Sequence, residues 1–152
     1  MRRPKRTTWF VIADGGRFKV FDSEGPKQDL KLIKDAESDE SRRPSRNIGT
    51  DKPGRGRNIG TGAPFALQPG QDFHNAAKRE FLKSSMEFVN HGAREGRFQQ
   101  LVVVAPAKAL AAIRSATSQD ALDKTIASLS LDLSKIPESE LRDRLVEKLH
   151  HW

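Results

Sequence analysis

Five apolar residues in a row, Leu101-Val102-Val103-Val104-Ala105, are closed by Pro106. Side chains of a strand alternate between the two faces of its sheet, so a strand apolar at every position must be covered on both. This excludes a lone sheet with one wet face and asks for helices on either side. A chain of 152 residues is long enough for one such domain. With 36% hydrophobic residues the core is modest, and part of the chain is left over as polar loop.

The other segments are read from their periodicity. Thr7–Ala13 is rich in β-formers, and Asp14-Gly15-Gly16 reads as a hairpin turn because glycine tolerates positive φ. Arg17-Phe18-Lys19-Val20-Phe21 alternates as a half-buried strand does, Ser23-Glu24-Gly25-Pro26 turns the chain again, and Asp29–Ile33 is a third strand. A long helix is expected from Asp72, a suitable N-cap, with Phe73, Ala77, Phe81 and Phe88 on one face and Leu82, Met86 and Val89 widening it. Asn90-His91-Gly92 is its expected stop. Pro106 opens a second helix carrying Leu110 and Ile113, and Ile126, Leu129, Leu131 and Leu133 suggest a fifth strand. The last helix starts at Pro137, places Glu138 and Glu140 in its first turn, and packs through Leu141, Leu145 and Leu149. The expected fold is a single α/β domain over residues 1–152. An antiparallel meander followed by α/β units makes a mixed five-stranded sheet with helices on its faces, the element order of ribonuclease-H-like folds.

Residues 36–72 break the pattern with Pro44, Pro53, Pro64, Pro69 and six glycines, and Arg-Asn-Ile-Gly-Thr occurs twice, at 46–50 and 57–61. A mobile, basic loop rich in Gly, Pro and Arg is expected over 38–70. The net charge of +7 is concentrated around it: residues 1–62 carry 15 basic and 9 acidic side chains, residues 63–152 carry 12 and 11. Between 41 and 62, Asp51 alone opposes six cations. A solvated linker is one account of such a segment. A polyanion-binding loop is the other, because arginine forks pair with phosphate oxygens, glycine lets the backbone approach, and released counterions supply free energy. Under the second account the binding residues are Arg42, Arg43, Arg46, Lys52, Gly54, Arg55, Gly56 and Arg57, and the partner is RNA or the ribosome. No aromatic residue occurs in the loop before Phe65, so contacts to the nucleic-acid backbone and shape would outweigh base stacking.

The absence of cysteine excludes disulfides, thiolate-ligated metals and a thiol nucleophile. Asp14 ends the first strand, where a metal-dependent nuclease would hold a carboxylate, and Glu80 or Glu87 is a conceivable second. Ala105-Pro106 stands where a further acid is needed, so Asp14 is read as a turn former. His74 and His91 are 17 residues apart, too far for an i, i+4 ligand pair, and His150-His151 stands next to Trp152 at the terminus. Arg94 and Arg97, after the helix stop, are candidates to extend a basic rim. No metal, cofactor or catalytic residue is expected, because no nucleophile elbow, phosphate loop or dinucleotide motif is present. Arg2, Arg3, Lys5 and Arg6 precede an apolar run of only five residues, Trp9–Ala13, too short for a secretory signal or a membrane span. The expected compartment is the cytoplasm.

Three segments carry a family resemblance. Trp9-Phe10-Val11-Ile12-Ala13-Asp14-Gly15-Gly16-Arg17, Leu101-Val102-Val103-Val104-Ala105-Pro106, and Leu131-Asp132-Leu133-Ser134-Lys135-Ile136-Pro137 with Glu140-Leu141 resemble the bacterial host attachment protein family, from about residue 7 to 149. That family is named for a role in bacterial attachment to host cells and for no reaction. It is in turn similar to the middle domain of archaeal and eukaryotic peptide-chain release factors and of Pelota. In release factors a basic loop with Gly-Gly-Gln at its tip lies between the third strand and the long helix. Pro53-Gly54-Arg55-Gly56-Arg57 occupies that place here without the triplet, and Gly15-Gly16 is followed by Arg17 in a different turn. The resemblance therefore implies a non-enzymatic domain associated with RNA or the ribosome and lacking peptidyl-tRNA hydrolysis. Its alternative is an attachment factor that binds a protein partner without nucleic acid.

Overall fold

A computed structural model of the chain describes residues 6–38, 63–149 and 152, with side chains from Asn75 onward in the long helix. The elements run β1 (Thr8–Ala13), β2 (Arg17–Ser23), β3 (Lys31–Glu37), α1 (Ala63–Arg94), β4 (Gln100–Ala105), α2 (Ala107–Ser115), α3 (Gln119–Lys124), β5 (Thr125–Ser130) and α4 (Glu138–Leu149). They build one sheet of order β3-β2-β1-β4-β5. β1 pairs antiparallel with β2 and β2 with β3, whereas β1–β4 and β4–β5 are parallel. This is the open, mixed five-stranded α/β sheet expected from the element order.

Both faces are covered, as the apolar run in β4 requires. Trp9, Val11, Ala13, Leu101, Val103 and Ala105 face a core with Leu82, Met86, Val89 and Ala93 of α1, Ala109 and Ile113 of α2, and Ala121 of α3. Phe10, Ile12, Val102 and Val104 face Leu133 and the Leu141 and Leu145 side chains of α4. Burying each larger side chain contributes about 1.5–3 kcal/mol. The two tryptophans close opposite layers. Trp9 stacks on Phe88 at 5.3 Å and against Phe98 at 4.6 Å. Trp152 meets Phe10 edge-on at 5.0 Å and donates its indole N–H to Ser23 Oγ at 3.0 Å.

The long helix differs from expectation at both ends. It starts at Ala63, so Asp72 lies inside it and residues 63–70 are helix rather than loop. Pro64 falls in the first turn, where a backbone N–H has no helical partner to lose; Pro69 forgoes one internal bond. The helix ends beyond Gly92. Gly96 takes φ +69°, its N–H donates to Ala93 O, and the Arg97 N–H donates to Gly92 O, which is the Schellman arrangement. Gly92 serves close packing instead, because a Cβ there would stand 2.5 Å from the Trp9 ring. The buried stripe of α1 is Leu82, Met86, Val89 and Ala93, with Phe81 and Phe88 only partly covered at its flank.

One further helix, α3, was not expected. Ser118 caps it by accepting the Ala121 N–H, and Asn90 of α1 brackets its entrance, donating to Ala116 O and accepting the Ser118 N–H, both at 2.9 Å. β3 starts at Lys31 and runs on to Glu37, beyond the expected end at Ile33. Leu131 and Leu133 lie past the end of β5, yet both pack onto the α4 layer. Among the described residues no helix is long and apolar enough to cross a membrane.

Candidate nucleic-acid interface

The sheet order creates a crevice. From β1 the chain turns to β2 on one side, and from β4 it passes through α2 and α3 to β5 on the other. The carboxyl ends of two adjacent parallel strands whose connections diverge form a topological switch point, the usual ligand position in open α/β sheets. An open cleft of about 830 Å³ lies there, bordered by Gly15 after β1 and Pro106 after β4. Its walls are α1 and α2, with Leu82 and Ala109 in the floor.

Four cations surround the cleft: Lys78, Arg79 and Lys83 from α1, and Lys108 from the first turn of α2. Glu80 is the acidic residue among the lining side chains. The Lys78 stem crosses the β1–β2 turn so closely that a Cβ on Gly15 would be 2.8 Å from its Cδ. Neither Gly15 nor Gly16 has a positive φ, so the turn does not use glycine's left-handed freedom, and a Cβ at Gly15 would have to push the flexible Lys78 stem aside. A second hollow of about 460 Å³ shares Gly15, Lys78 and Glu80 and reaches Glu37 and Ser38 at the end of β3. Ser38, the last described residue before Ala63, lies in this neighbouring hollow, whose charged lining is Lys78, Glu80 and Glu37.

Asp14 is engaged in the turn. Its Oδ1 accepts the N–H groups of Gly16 at 2.7 Å and Arg17 at 2.8 Å, and its Oδ2 lies 2.9 Å from the Ser134 hydroxyl. Ser134 Oγ is also 2.6 Å from Asp132 Oδ1, tying the β1–β2 turn to the segment after β5. Among the described residues no group of three or more His, Asp or Glu side chains is placed to hold a metal ion. Glu80 lines the cleft, while Glu87 is exposed on α1. His91 pairs with Glu95 at 3.0 Å, and Arg97 binds the same carboxylate at 3.0 Å. Arg94 and Arg97 are at the end of α1 that leads into β4, opposite the cleft, so they do not extend its rim.

The sequence matches the model of a family described as "protein required for attachment to host cells" over residues 9–145. The chain belongs to that family. No curated protein matches it. Among solved structures it is similar to an archaeal translation termination factor, with 12% identity and a TM-score of 0.49 over 97% of this chain and 40% of that one. It is also similar to an archaeal protein, with 11% identity and a TM-score of 0.48 over 97% of this chain and 39% of that one. The attachment-family chain thus spans about two fifths of the length of these chains.

The eight loop residues singled out from the sequence, Arg42, Arg43, Arg46, Lys52, Gly54, Arg55, Gly56 and Arg57, lie outside the described residues. The cleft cations were missed because no local motif marks them. Lys78, Arg79 and Lys83 read as an ordinary polar helix face, and only the sheet order brings Lys108 to the same opening.

Proposed function

We propose that this attachment-family protein is a non-enzymatic RNA-binding domain acting in the cytoplasm, with structured RNA or the ribosome as its partner. Phosphates are held by Lys78, Arg79, Lys83 and Lys108 around the cleft, together with Arg42, Arg43, Arg46, Lys52, Gly54, Arg55, Gly56 and Arg57. The observation that carries this reading is the convergence of four cations from two helices on one open cleft at the switch point. Lysine and arginine around an open, uneven surface favour a polyanion recognised by backbone and shape, with little preference for sequence. The non-enzymatic part rests on Asp14, whose two oxygens are taken up by the turn and by Ser134.

Filter binding of structured RNA to the wild type and to a Lys78→Ala, Lys108→Ala double variant tests the proposal. Affinity is expected to fall alike for unrelated sequences, with the salt dependence flattened by about 1.5 units for the two lost phosphate contacts. Unchanged binding by the variant removes the cleft from the reading. Negligible affinity of the wild type at physiological salt removes RNA altogether. The second reading, attachment through a protein partner, then takes its place on the strength of the family description.

A further inference from the structure

The two walls of the cleft at the switch point have opposite chemistry. From α1 it is lined by Asn75, Lys78, Arg79, Glu80 and Lys83, with Leu82 at the base. From α2, Lys108 is followed by Ala109, Ala111, Ala112 and Ser115, so beyond the lysine no side chain larger than serine lines this wall. The Ser115 hydroxyl donates to Ala111 O at 3.1 Å, which leaves the wall without a spare side-chain donor past Lys108. The lining runs from Asn75 to Lys83 on one helix and from Lys108 to Ala116 on the other, about 12 Å of axis in each case. Cations alone would suit any polyanion. A wall of alanine set against them suits a ligand that also has a flat apolar face and can lie close to the helix backbone.

We infer that the cleft holds one unpaired nucleotide of the RNA, its base against the alanine wall of α2 and its flanking phosphates on Lys78 and Lys108; this rests on the RNA-binding reading of the same cleft. An RNA duplex turns its phosphates outward and keeps the base faces inside its stack, so it would meet the cations and leave the alanine wall uncovered. An unpaired nucleotide presents a base face and phosphates together. Base identity goes unread on a wall with no spare donor, in keeping with recognition by backbone and shape. Lys78, Arg79, Lys83 and Lys108 are more cations than one phosphate group pairs with, so the nucleotide belongs to a strand that enters and leaves the open cleft.

Three RNAs compared by fluorescence anisotropy at one salt concentration test this: a blunt duplex, the same duplex with one bulged adenosine, and that duplex with an abasic bulge. The abasic bulge keeps the added phosphate and lacks the base. The bulged duplex is expected to bind about tenfold tighter than the paired one, and the abasic bulge to lose that gain. Ala111→Leu, at an exposed position of α2 where leucine keeps the helix, fills the alanine wall. It is expected to remove the preference for the bulge while the paired duplex binds as it does to the wild type. Equal binding of all three RNAs overturns the inference and leaves RNA binding standing, whereas no binding of any of them removes the RNA reading as well. A gain that survives in the abasic duplex overturns it, because the base is then not what the cleft holds. A gain that survives in a folded Ala111→Leu variant does so too, because the nucleotide then sits elsewhere. Adenosine monophosphate that displaces the bulged duplex as well as an unlabelled copy does would assign the cleft to a free nucleotide, against the inference. The abasic comparison uses the wild-type protein and decides the matter even if the variant fails to fold.

Discussion

Asp22 of β2 lies opposite Lys31 in the ladder to β3. Partial burial raises its pKa above the ordinary carboxylate value of 3.8, Glu24 pushes in the same direction, and Lys31 opposes both. A carboxyl whose folded pKa is raised binds its proton more tightly in the native state, so stability falls as pH rises from 3.8 through the folded value. Asp22→Asn is therefore expected to melt higher than the wild type at neutral pH, with the gap closing below pH 3.8. Thermal melts on both sides of that value check it, and a gap independent of pH would show that the charge is not the cause. Residues of this scale were unevenly legible. Asp14 as a turn former could be read from its neighbours, because an Asx turn is local chemistry. Gly92 could not, because its constraint comes from Trp9, distant in sequence.

At the level of elements, what could be read followed how local the forces are. The five strands are recoverable because alternation and continuous apolarity directly reflect which faces are covered. The start of α1 is not, since Pro64 and Pro69 resemble loop punctuation although a first-turn proline is compatible with a helix. For α3 the Ser118 cap was visible in principle, but six residues are too few to show a period, and Asn90 completes the site from α1. β4 is the element on which the rest depends, between β1 and β5 with Val103 only 4% exposed. Val103→Asp would bury a carboxylate without a partner at a cost of several kcal/mol, comparable to the whole stability of a domain this size. The variant is expected to lose its cooperative thermal transition. A soluble variant that melts cooperatively near the wild-type temperature would mean that the strand is dispensable.

At the scale of the whole molecule, the cleft is made by topology alone. The cleft cations belong to α1 and α2, separated along the chain by β4, and Ser38 shares a hollow with Lys78 only because β3 ends there. The sequence showed the segment and not the cleft, since charge runs are local and crevices are not. Salt dependence can weigh the two. Six neutralised phosphates on a single strand give a slope of log affinity against log salt of about −4. If the four cleft cations also reach phosphates, the slope steepens to about −7. Replacing Arg55 and Arg57 with alanine should then flatten it by about 1.4 units, as should replacing Lys78 and Lys108, and the two effects should add. Thermal stability should stay within about 0.5 kcal/mol for the arginine pair, because residues 39–62 include one large apolar side chain in each repeat, Ile48 and Ile59, and neither is changed. If residues 39–62 are only a solvated linker, the arginine pair leaves the slope nearly unchanged while the lysine pair still flattens it. A titration series with both double variants beside the wild type separates a segment that grips phosphate from one that merely connects β3 to α1.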